Sequence, residues 1–268
     1  MKAALPLLLA IVLLASRWPV PACAEAIAVD LELVLAVDVS ESMDPEEFAI
    51  QRAGYAAALR HPGFIHAVVS GPNGRIALSY FEWAGTVRPR SAVPWQVING
   101  ADSARAFAER LESLPVHVFR GTSISAALDF GITSIQTNGF DGARRVIDIS
   151  GDGPNNFGGP VEQARDAAVG RGIVVNGLPI LIRPSPIFPA IDSYYAECVT
   201  GGPGSFVLPI RTTAEFATAI RRKLILEVSG ASPDPRVVPA QANAPVDCLI
   251  GERTRQRLSD RFYPELDR

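Results

Sequence analysis

One stretch of the sequence decides the fold, and it reads Leu33-Val34-Leu35-Ala36-Val37-Asp38-Val39-Ser40-Glu41-Ser42-Met43. Its first part is continuously apolar, which is typical of a strand buried on both faces of a parallel sheet. Asp38, Ser40 and Ser42 then fall at the carboxyl end of that strand, where open α/β sheets bind ligands. Oxygen side chains in this place suit a hard cation such as Mg²⁺. The alternative is a polar strand end whose hydroxyls only cap the following helix.

Strand-like and helix-like segments alternate along the rest of the chain. Further strands are predicted at 75–83, 93–97, 144–150, 172–181 and 206–209. Helical patterns are predicted at 45–60, 102–114, 124–135, 161–171, 190–199 and 212–228. Pro94 restricts the 93–97 strand to an edge of the sheet. The alternation predicts an α/β fold with a doubly wound, mainly parallel central sheet and helices on both faces.

The composition is that of a globular protein with a sizeable core. Of the 268 residues, 48% are hydrophobic and 20% are charged, which argues against global disorder. The formal net charge is −3, so the chain has no excess of basic residues. Nucleic-acid binding needs a basic face, and we therefore expect no nucleic-acid partner.

The N-terminus resembles a secretory signal peptide. Lys2 is followed by a short apolar run over residues 3–15, and Ala22-Cys23-Ala24 supplies small residues for cleavage after Ala24. We therefore expect residues 1–24 to be removed and the mature chain to be periplasmic or secreted. The alternative is a lipoprotein anchored at Cys23. No later run is long and apolar enough to span a bilayer, so no transmembrane segment is expected in the mature chain.

If Cys23 leaves with the signal peptide, Cys198 and Cys248 remain. An even pair in an exported protein predicts a disulfide, the alternative being two buried free thiols. The composition changes after residue 229, where prolines appear without periodicity. We therefore predict a domain over residues 25–229 and a C-terminal arm over 230–268 that Cys248 pins to the domain. The strongly charged end of the arm is expected to lie exposed.

Two later boundaries carry oxygen side chains as well. Thr122 follows Gly121 just before a predicted helix, where its hydroxyl would either cap that helix or face a ligand. Asp152 lies between two glycines at the end of the 144–150 strand, which indicates a sharp turn that aims a carboxylate, or an ordinary Asp-Gly turn. Asp148 lies inside the same strand and is interpreted as a buried structural acid that needs partners.

Taken in order, these three segments resemble the von Willebrand factor A domain family. Its metal-ion-dependent adhesion site (MIDAS) uses Asp-x-Ser-x-Ser, then a Thr, then an Asp in a later Asp-Gly turn. The resemblance covers about residues 30–229, and the chain also resembles an exported bacterial group, DUF1194-like, through its Arg-Gly-Thr-Ser-Ile-Ser and Ser-Gly-Asp-Gly stretches. The five matching residues are Asp38, Ser40, Ser42, Thr122 and Asp152.

The resemblance implies a role for each residue. Ser40, Ser42 and Thr122 would bind the ion directly or through water, while Asp38 and Asp152 would act through water and hydrogen bonds. Oxygen ligands without nearby His or Cys favour Mg²⁺, with Mn²⁺ or Ca²⁺ possible, over Zn²⁺ or copper. The family further implies that a protein partner's Asp or Glu fills one open position on the ion.

The sequence therefore predicts an exported, metal-dependent protein-binding module for adhesion or assembly, and not an enzyme. It lacks a dinucleotide or phosphate-binding glycine loop, a zinc-protease motif and a nucleophile elbow. One alternative is a hydrolase that uses the same rim with His117 as base. The other is a structural subunit whose metal only stabilises the loops and has no open coordination position.

Overall fold

The structure, a computed structural model, describes residues 25–43, 45–115, 117–231 and 246–262. The predicted signal peptide and residues 232–245 and 263–268 of the predicted arm lie outside these ranges. The strands are β1 (Ile27–Val29), β2 (Glu32–Asp38), β3 (Ile76–Trp83), β4 (Val87–Ile98), β5 (Phe140–Gly142), β6 (Arg145–Gly151) and β7 (Ile173–Pro179).

The α-helices are α1 (Pro45–Leu59), α2 (Pro62–Val69), α3 (Ala101–Glu112), α4 (Ile124–Gln136), α5 (Val161–Val169), α6 (Ile191–Tyr194), α7 (Phe216–Ser229) and α8 (Ile250–Phe262). A π-helix over Tyr195–Val199 continues α6, and a 3₁₀ turn over Thr213–Glu215 precedes α7. Within the described part of the chain, no helix combines the length and apolar character that crossing a membrane requires.

The apolar run of the opening stretch forms β2, the central strand of a five-stranded sheet in the order β4-β3-β2-β6-β7. β2 pairs in parallel with β3 and β6, and β7 pairs in parallel with β6. Among the described strands of this sheet only β4 is antiparallel, and it lies at the edge, in agreement with the restriction that Pro94 imposes. β4 is longer than the predicted 93–97 strand.

Both faces of β2 are buried, because helices cover the sheet on both sides. Leu33, Leu35 and Val37 belong to one apolar cluster, which includes side chains of α1, α3 and α7. Val34 and Ala36 point the other way and belong to a second cluster, with side chains of α4, α5 and the π-helix. Alternate residues of a strand face opposite sides of its sheet. The predicted doubly wound α/β fold is confirmed.

Some elements differ from the sequence prediction. The His61-Pro62-Gly63 stretch follows the end of α1 and also starts α2, since His61 Nδ1 accepts a hydrogen bond from the Gly63 amide at 3.0 Å. β1 and β5 form a separate parallel pair that was not predicted. The predicted strand at 206–209 is instead an extended segment beside β7, where the Leu208 amide donates to the Gly177 carbonyl at 3.0 Å.

The predicted disulfide is present and joins Cys198 of the π-helix to Cys248, with the Cα atoms 5.5 Å apart. α8 follows Cys248 after a single turn. Residues 255–261 of this helix are exposed, as predicted for the charged end of the arm, but Gly251 in its first turn is buried. The arm therefore contains a helix that packs on the rest of the protein, which its charged composition did not indicate.

Candidate metal centre

Asp38 is the last residue of β2, and its side chain is fully buried. Its Oδ1 accepts a hydrogen bond from the backbone amide of Ser40 at 2.8 Å, which turns the chain at the carboxyl edge of the sheet. Among the described residues, Asp38 Oδ2 has no hydrogen-bond partner. The carboxylate is thus anchored to the turn through Oδ1, while Oδ2 is buried at the same edge.

The two serines after Asp38 are joined to the turn that follows β6. Ser40 Oγ and Ser42 Oγ lie 2.9 Å apart, and Ser42 Oγ donates a hydrogen bond to Asp152 Oδ1 at 2.7 Å. Ser42 and Asp152 are separated by 110 residues in the chain. These hydroxyls therefore link two strand ends across the sheet edge.

Thr122 reaches the same edge because the segment around it runs beside the residues that follow β2 and β3. The Glu41 amide donates to the Phe119 carbonyl at 2.9 Å, and the Ser123 amide donates to the Ala84 carbonyl at 2.8 Å. Ser123, and not Thr122, caps α4 through a bond from the Ala126 amide at 3.3 Å. The Thr122 hydroxyl is therefore not the cap of this helix.

Two asparagines in the loop after β6 hold the backbone around Thr122. Asn156 Oδ1 accepts from the Thr122 amide at 2.9 Å, and the Asn156 amide donates to the Thr122 carbonyl at 2.8 Å. Asn155 Oδ1 accepts from the Ser125 amide at 3.0 Å. The sequence analysis assigned these asparagines no role, although an Asn pair directly after the Gly-Asp-Gly-Pro turn could have drawn attention to them.

Within the described residues, the groups that shift the pKa of Asp38 include no cationic side chain. Burial and then the neighbouring Asp152 carboxylate raise the pKa of Asp38 well above its usual range, while hydrogen bonds from Ser40 and the Asp152 backbone act in the opposite direction. A bound cation would relieve both unfavourable effects. The buried, unpartnered Oδ2 of Asp38 is therefore consistent with a cation site.

Tyr195 is a further polar residue at this edge that the sequence did not indicate. A Cβ atom built on Gly151 would lie 2.7 Å from the Tyr195 hydroxyl and 2.8 Å from Asp38 Oδ2. Neither oxygen has a hydrogen-bond partner within the described ranges. Glycine at 151 therefore allows the tyrosine of the π-helix and the carboxylate of β2 to approach the same backbone position.

The available donors are carboxylate and hydroxyl oxygens, a set typical of Mg²⁺, Mn²⁺ or Ca²⁺ sites. A Cβ on Gly153 would lie 3.9 Å from Thr122 Oγ1, so the threonine hydroxyl is beside the Asp152 turn. The described residues contain no cluster of three or more His, Cys, Asp or Glu side chains suited to a metal. A metal at this edge would therefore depend on the hydroxyls as well as on Asp38 and Asp152.

His117, the candidate base of a hydrolase, is exposed and its ring centroid lies 5.9 Å from that of Phe119. In the described part of the chain it forms no hydrogen bond with Ser40, Ser42 or Thr122. The serine hydroxyls bond to each other and to Asp152 instead. The arrangement therefore lacks the contact between nucleophile and base on which a serine hydrolase depends.

The chain matches a known protein family over most of its length. The sequence model of the family described as "Protein of unknown function (DUF1194)" matches residues 28–232. No curated protein sequence matches the chain. The matched range includes every residue of the candidate metal centre, but it ends before Cys248 and α8.

Solved structures share the fold at low identity. Proximal thread matrix protein 1 (PTMP1) from the mussel byssus, with a zinc-occupied MIDAS motif, is 15% identical with a TM-score of 0.51, over 77% of this chain and 49% of that chain. A von Willebrand factor type A protein from Catenulispora acidiphila is 16% identical with a TM-score of 0.50, over 75% of this chain and 43% of that chain.

The pilus adhesin SpaC from Lactobacillus rhamnosus GG, in its open conformation, is 14% identical with a TM-score of 0.53, over 75% of this chain and 30% of that chain. This chain therefore spans between 30% and 49% of the length of these proteins. At such identities the likeness establishes the von Willebrand factor A type of fold.

Proposed function

The chain belongs to the DUF1194 family, and we propose that it is an exported protein-binding module that uses a divalent cation to engage an acidic group of a protein partner. The observation that carries this proposal is the contact of Ser40, Ser42 and Asp152 next to the unpartnered Asp38 Oδ2. These groups come from separate parts of the sequence and converge at the carboxyl edge of the sheet, where α/β folds bind ligands.

In this proposal the hydroxyls of Ser40, Ser42 and Thr122 hold the cation, and Asp38 and Asp152 orient them and balance the charge. Mg²⁺ is the proposed ion, with Mn²⁺ or Ca²⁺ as substitutes, because the donors are all oxygen atoms. The bound ion would supply a Lewis-acidic position for a carboxylate of the partner. A contact of this kind is stronger when water is excluded from it, since the effective dielectric constant is then lower.

Two of the similar structures support the proposal without deciding it. One is named a pilus adhesin, and another is described with zinc in its MIDAS motif. A fold of this type can therefore present a divalent metal at such a motif. The choice of Mg²⁺ over Zn²⁺ for this chain rests on its own oxygen donors.

The proposal is tested by calorimetry with Mg²⁺, Mn²⁺ and Ca²⁺, and by affinity capture from the native envelope with Mg²⁺ or with EDTA. Thr122→Ala should weaken both cation and partner binding, because it deletes one donor and little core volume. Thr133→Ala is the matched control, since Thr133 is an exposed residue of α4. Partner binding that is equal with Mg²⁺, with EDTA and in Thr122→Ala would place the interaction elsewhere.

The other two functions considered for the sequence predict different outcomes. A structural subunit would bind the cation and gain stability, but it would capture no partner through the metal. A hydrolase would lose turnover in His117→Ala. No contact in the described residues favours the hydrolase, and the protein is proposed not to be an enzyme.

A further inference from the structure

We propose that α8 is a positioning element of the metal centre, which holds the loop after β6 so that Thr122 and Asp152 are presented in a binding-competent arrangement. α8 lies outside the residues that match the family, 28–232, yet its first turns contact that loop. The inference rests on the proposed metal site, and it requires no assumption about the partner.

The first contact is between Glu252 of α8 and Asn155. Glu252 Oε1 accepts a hydrogen bond from Asn155 Nδ2 at 2.7 Å, and the same amide group donates to the Gly159 carbonyl at 3.1 Å. Asn155 is fully buried, and its Oδ1 accepts from the Ser125 amide. Glu252 thus completes the hydrogen bonds of a buried side chain that joins the loop to the start of α4.

The second contact is between Arg255 and the next two loop residues. The Arg255 guanidinium carbon lies 3.5 Å from the centroid of the Phe157 ring, and Arg255 Nη1 donates to the Asn156 carbonyl at 3.3 Å. Phe157 packs so closely against Gly121 that a Cβ atom there would lie 2.6 Å from its ring. Arg255 therefore supports the ring that lies beside the residue preceding Thr122.

Two features fix α8 in place for these contacts. A Cβ atom on Gly251 would lie 2.0 Å from the Asn155 carbonyl oxygen, so only glycine permits the observed approach of helix and loop. The Cys198–Cys248 disulfide anchors the chain just before the helix begins. The amino-terminal end of the helix is thus held both by a covalent bond and by close backbone packing.

The physical consequence is preorganisation. Asn156 holds the Thr122 backbone through two hydrogen bonds, and Asn155 holds Ser125. If α8 were released, this loop would sample other arrangements, and the apparent cation affinity would fall in proportion to the competent fraction. Residues that orient metal ligands without touching the metal commonly affect its affinity in this way.

The test uses Glu252→Ala and Arg255→Ala in the full chain, with Arg257→Ala as the matched control on the exposed side of α8. Hydrogen exchange of the metal-free protein is the first readout, followed at residues 122–125 and 152–159. Mn²⁺ affinity by calorimetry is the second. We expect faster exchange in both loop segments and about tenfold weaker Mn²⁺ binding for Glu252→Ala, with Glu252→Gln restoring most of the loss because its amide oxygen still accepts.

Arg255 is exposed, so Arg255→Ala keeps the test decisive even if Glu252→Ala fails to fold. Exchange and affinity that are the same in Glu252→Ala, Arg255→Ala and Arg257→Ala would overturn the inference. If the wild-type protein bound no Mn²⁺, the proposed function would fail. The exchange measurement would then still decide whether α8 orders the loop.

Discussion

Lys223 Nζ lies 2.7 Å from Asp148 Oδ1, in a part of the core where neither side chain reaches solvent. The same ammonium group donates to Glu227 one turn later in α7, and Glu227 Oε1 accepts from Asn176 Nδ2 at 3.0 Å. One cation therefore serves two buried carboxylates. This arrangement gives Asp148 the structural role that the sequence suggested and ties β6 to α7.

Lys223→Met should strongly destabilise the fold, because it leaves Asp148 and Glu227 buried without their counter-charge. Breaking a buried ion pair by removing one partner typically costs about 3–5 kcal/mol. The measurement is the free energy of unfolding in urea, with Arg222→Met as control because Arg222 is exposed. A loss no greater than that of the control would show that the Lys223 cluster contributes little to stability.

The pH dependence of stability should carry the signature of Asp148. Burial, followed by the Glu227 carboxylate, raises the pKa of Asp148 to about 7. In the unfolded chain an Asp releases its proton near pH 4, so between about pH 4 and 7 the folded state binds more protons than the unfolded state. The free energy of unfolding therefore falls as the pH rises through this interval, by up to about 4 kcal/mol. Asp148→Asn removes this titrating group, so the free energy of unfolding of the variant should decline less over the same interval. Parallel curves for the two proteins would contradict the assignment.

Gly151→Ala should abolish cation binding at the candidate metal centre. The added methyl group would meet the Tyr195 hydroxyl and Asp38 Oδ2 at distances that side chains do not tolerate. Gly159→Ala is the control, since a Cβ atom there has no neighbour within 4 Å and the residue lies in the same loop. Calorimetry with Mn²⁺ distinguishes the two variants, and circular dichroism checks that each is folded. If Gly151→Ala bound Mn²⁺ with the wild-type affinity, Asp38 would not be part of the cation site.

Mg²⁺ or Mn²⁺ should raise the thermal midpoint of unfolding, because a ligand that binds only the folded state stabilises it. At a cation concentration one hundred times the Kd, the gain is about 2.7 kcal/mol. Asp38→Ala should remove most of this gain, which differential scanning calorimetry with and without EDTA would detect. An identical midpoint at millimolar Mg²⁺ and in EDTA would refute the metal site.

Export should leave a mature chain that begins at Glu25. The motivation is the short apolar run after Lys2 and the small residues at the predicted cleavage site. Intact-mass spectrometry of the protein from its native source checks this expectation, and it also detects the two-proton mass deficit of the Cys198–Cys248 disulfide. An intact Met1 or a lipid on Cys23 is the contrary result.

The parts of the fold that the sequence predicted are those with a strong local pattern. β2 is a continuous apolar run that ends at Asp38, and Ser40 and Ser42 follow at every second residue. Side chains this close in sequence at a strand end lie at the same edge of the sheet. β1 and β5 were missed because three residues are too short to show a period. α2 was missed because Pro62 can end one helix or begin another, and the difference depends on packing.

The parts of the site that were not predicted depend on contacts between distant residues. Asn155 and Glu252 are 97 residues apart, and no local property of either residue indicates the pairing. Tyr195 lies on the π-helix, and its hydroxyl and Asp38 both approach the backbone of residue 151 because Gly151 has no side chain. The metal donors were recognisable as a motif, whereas the groups that hold them emerge only from tertiary packing.

The disulfide also has a mechanical consequence. Its two cysteines are separated by 50 residues, and the covalent loop that they close contains α7. Tension applied to the carboxyl end of α8 would pass through the disulfide into the π-helix. The closed loop, which contains α7 and Lys223, would not be extended. A pulling force would therefore reach Tyr195 and the edge around Asp38 before it reached the buried ion pair of the core.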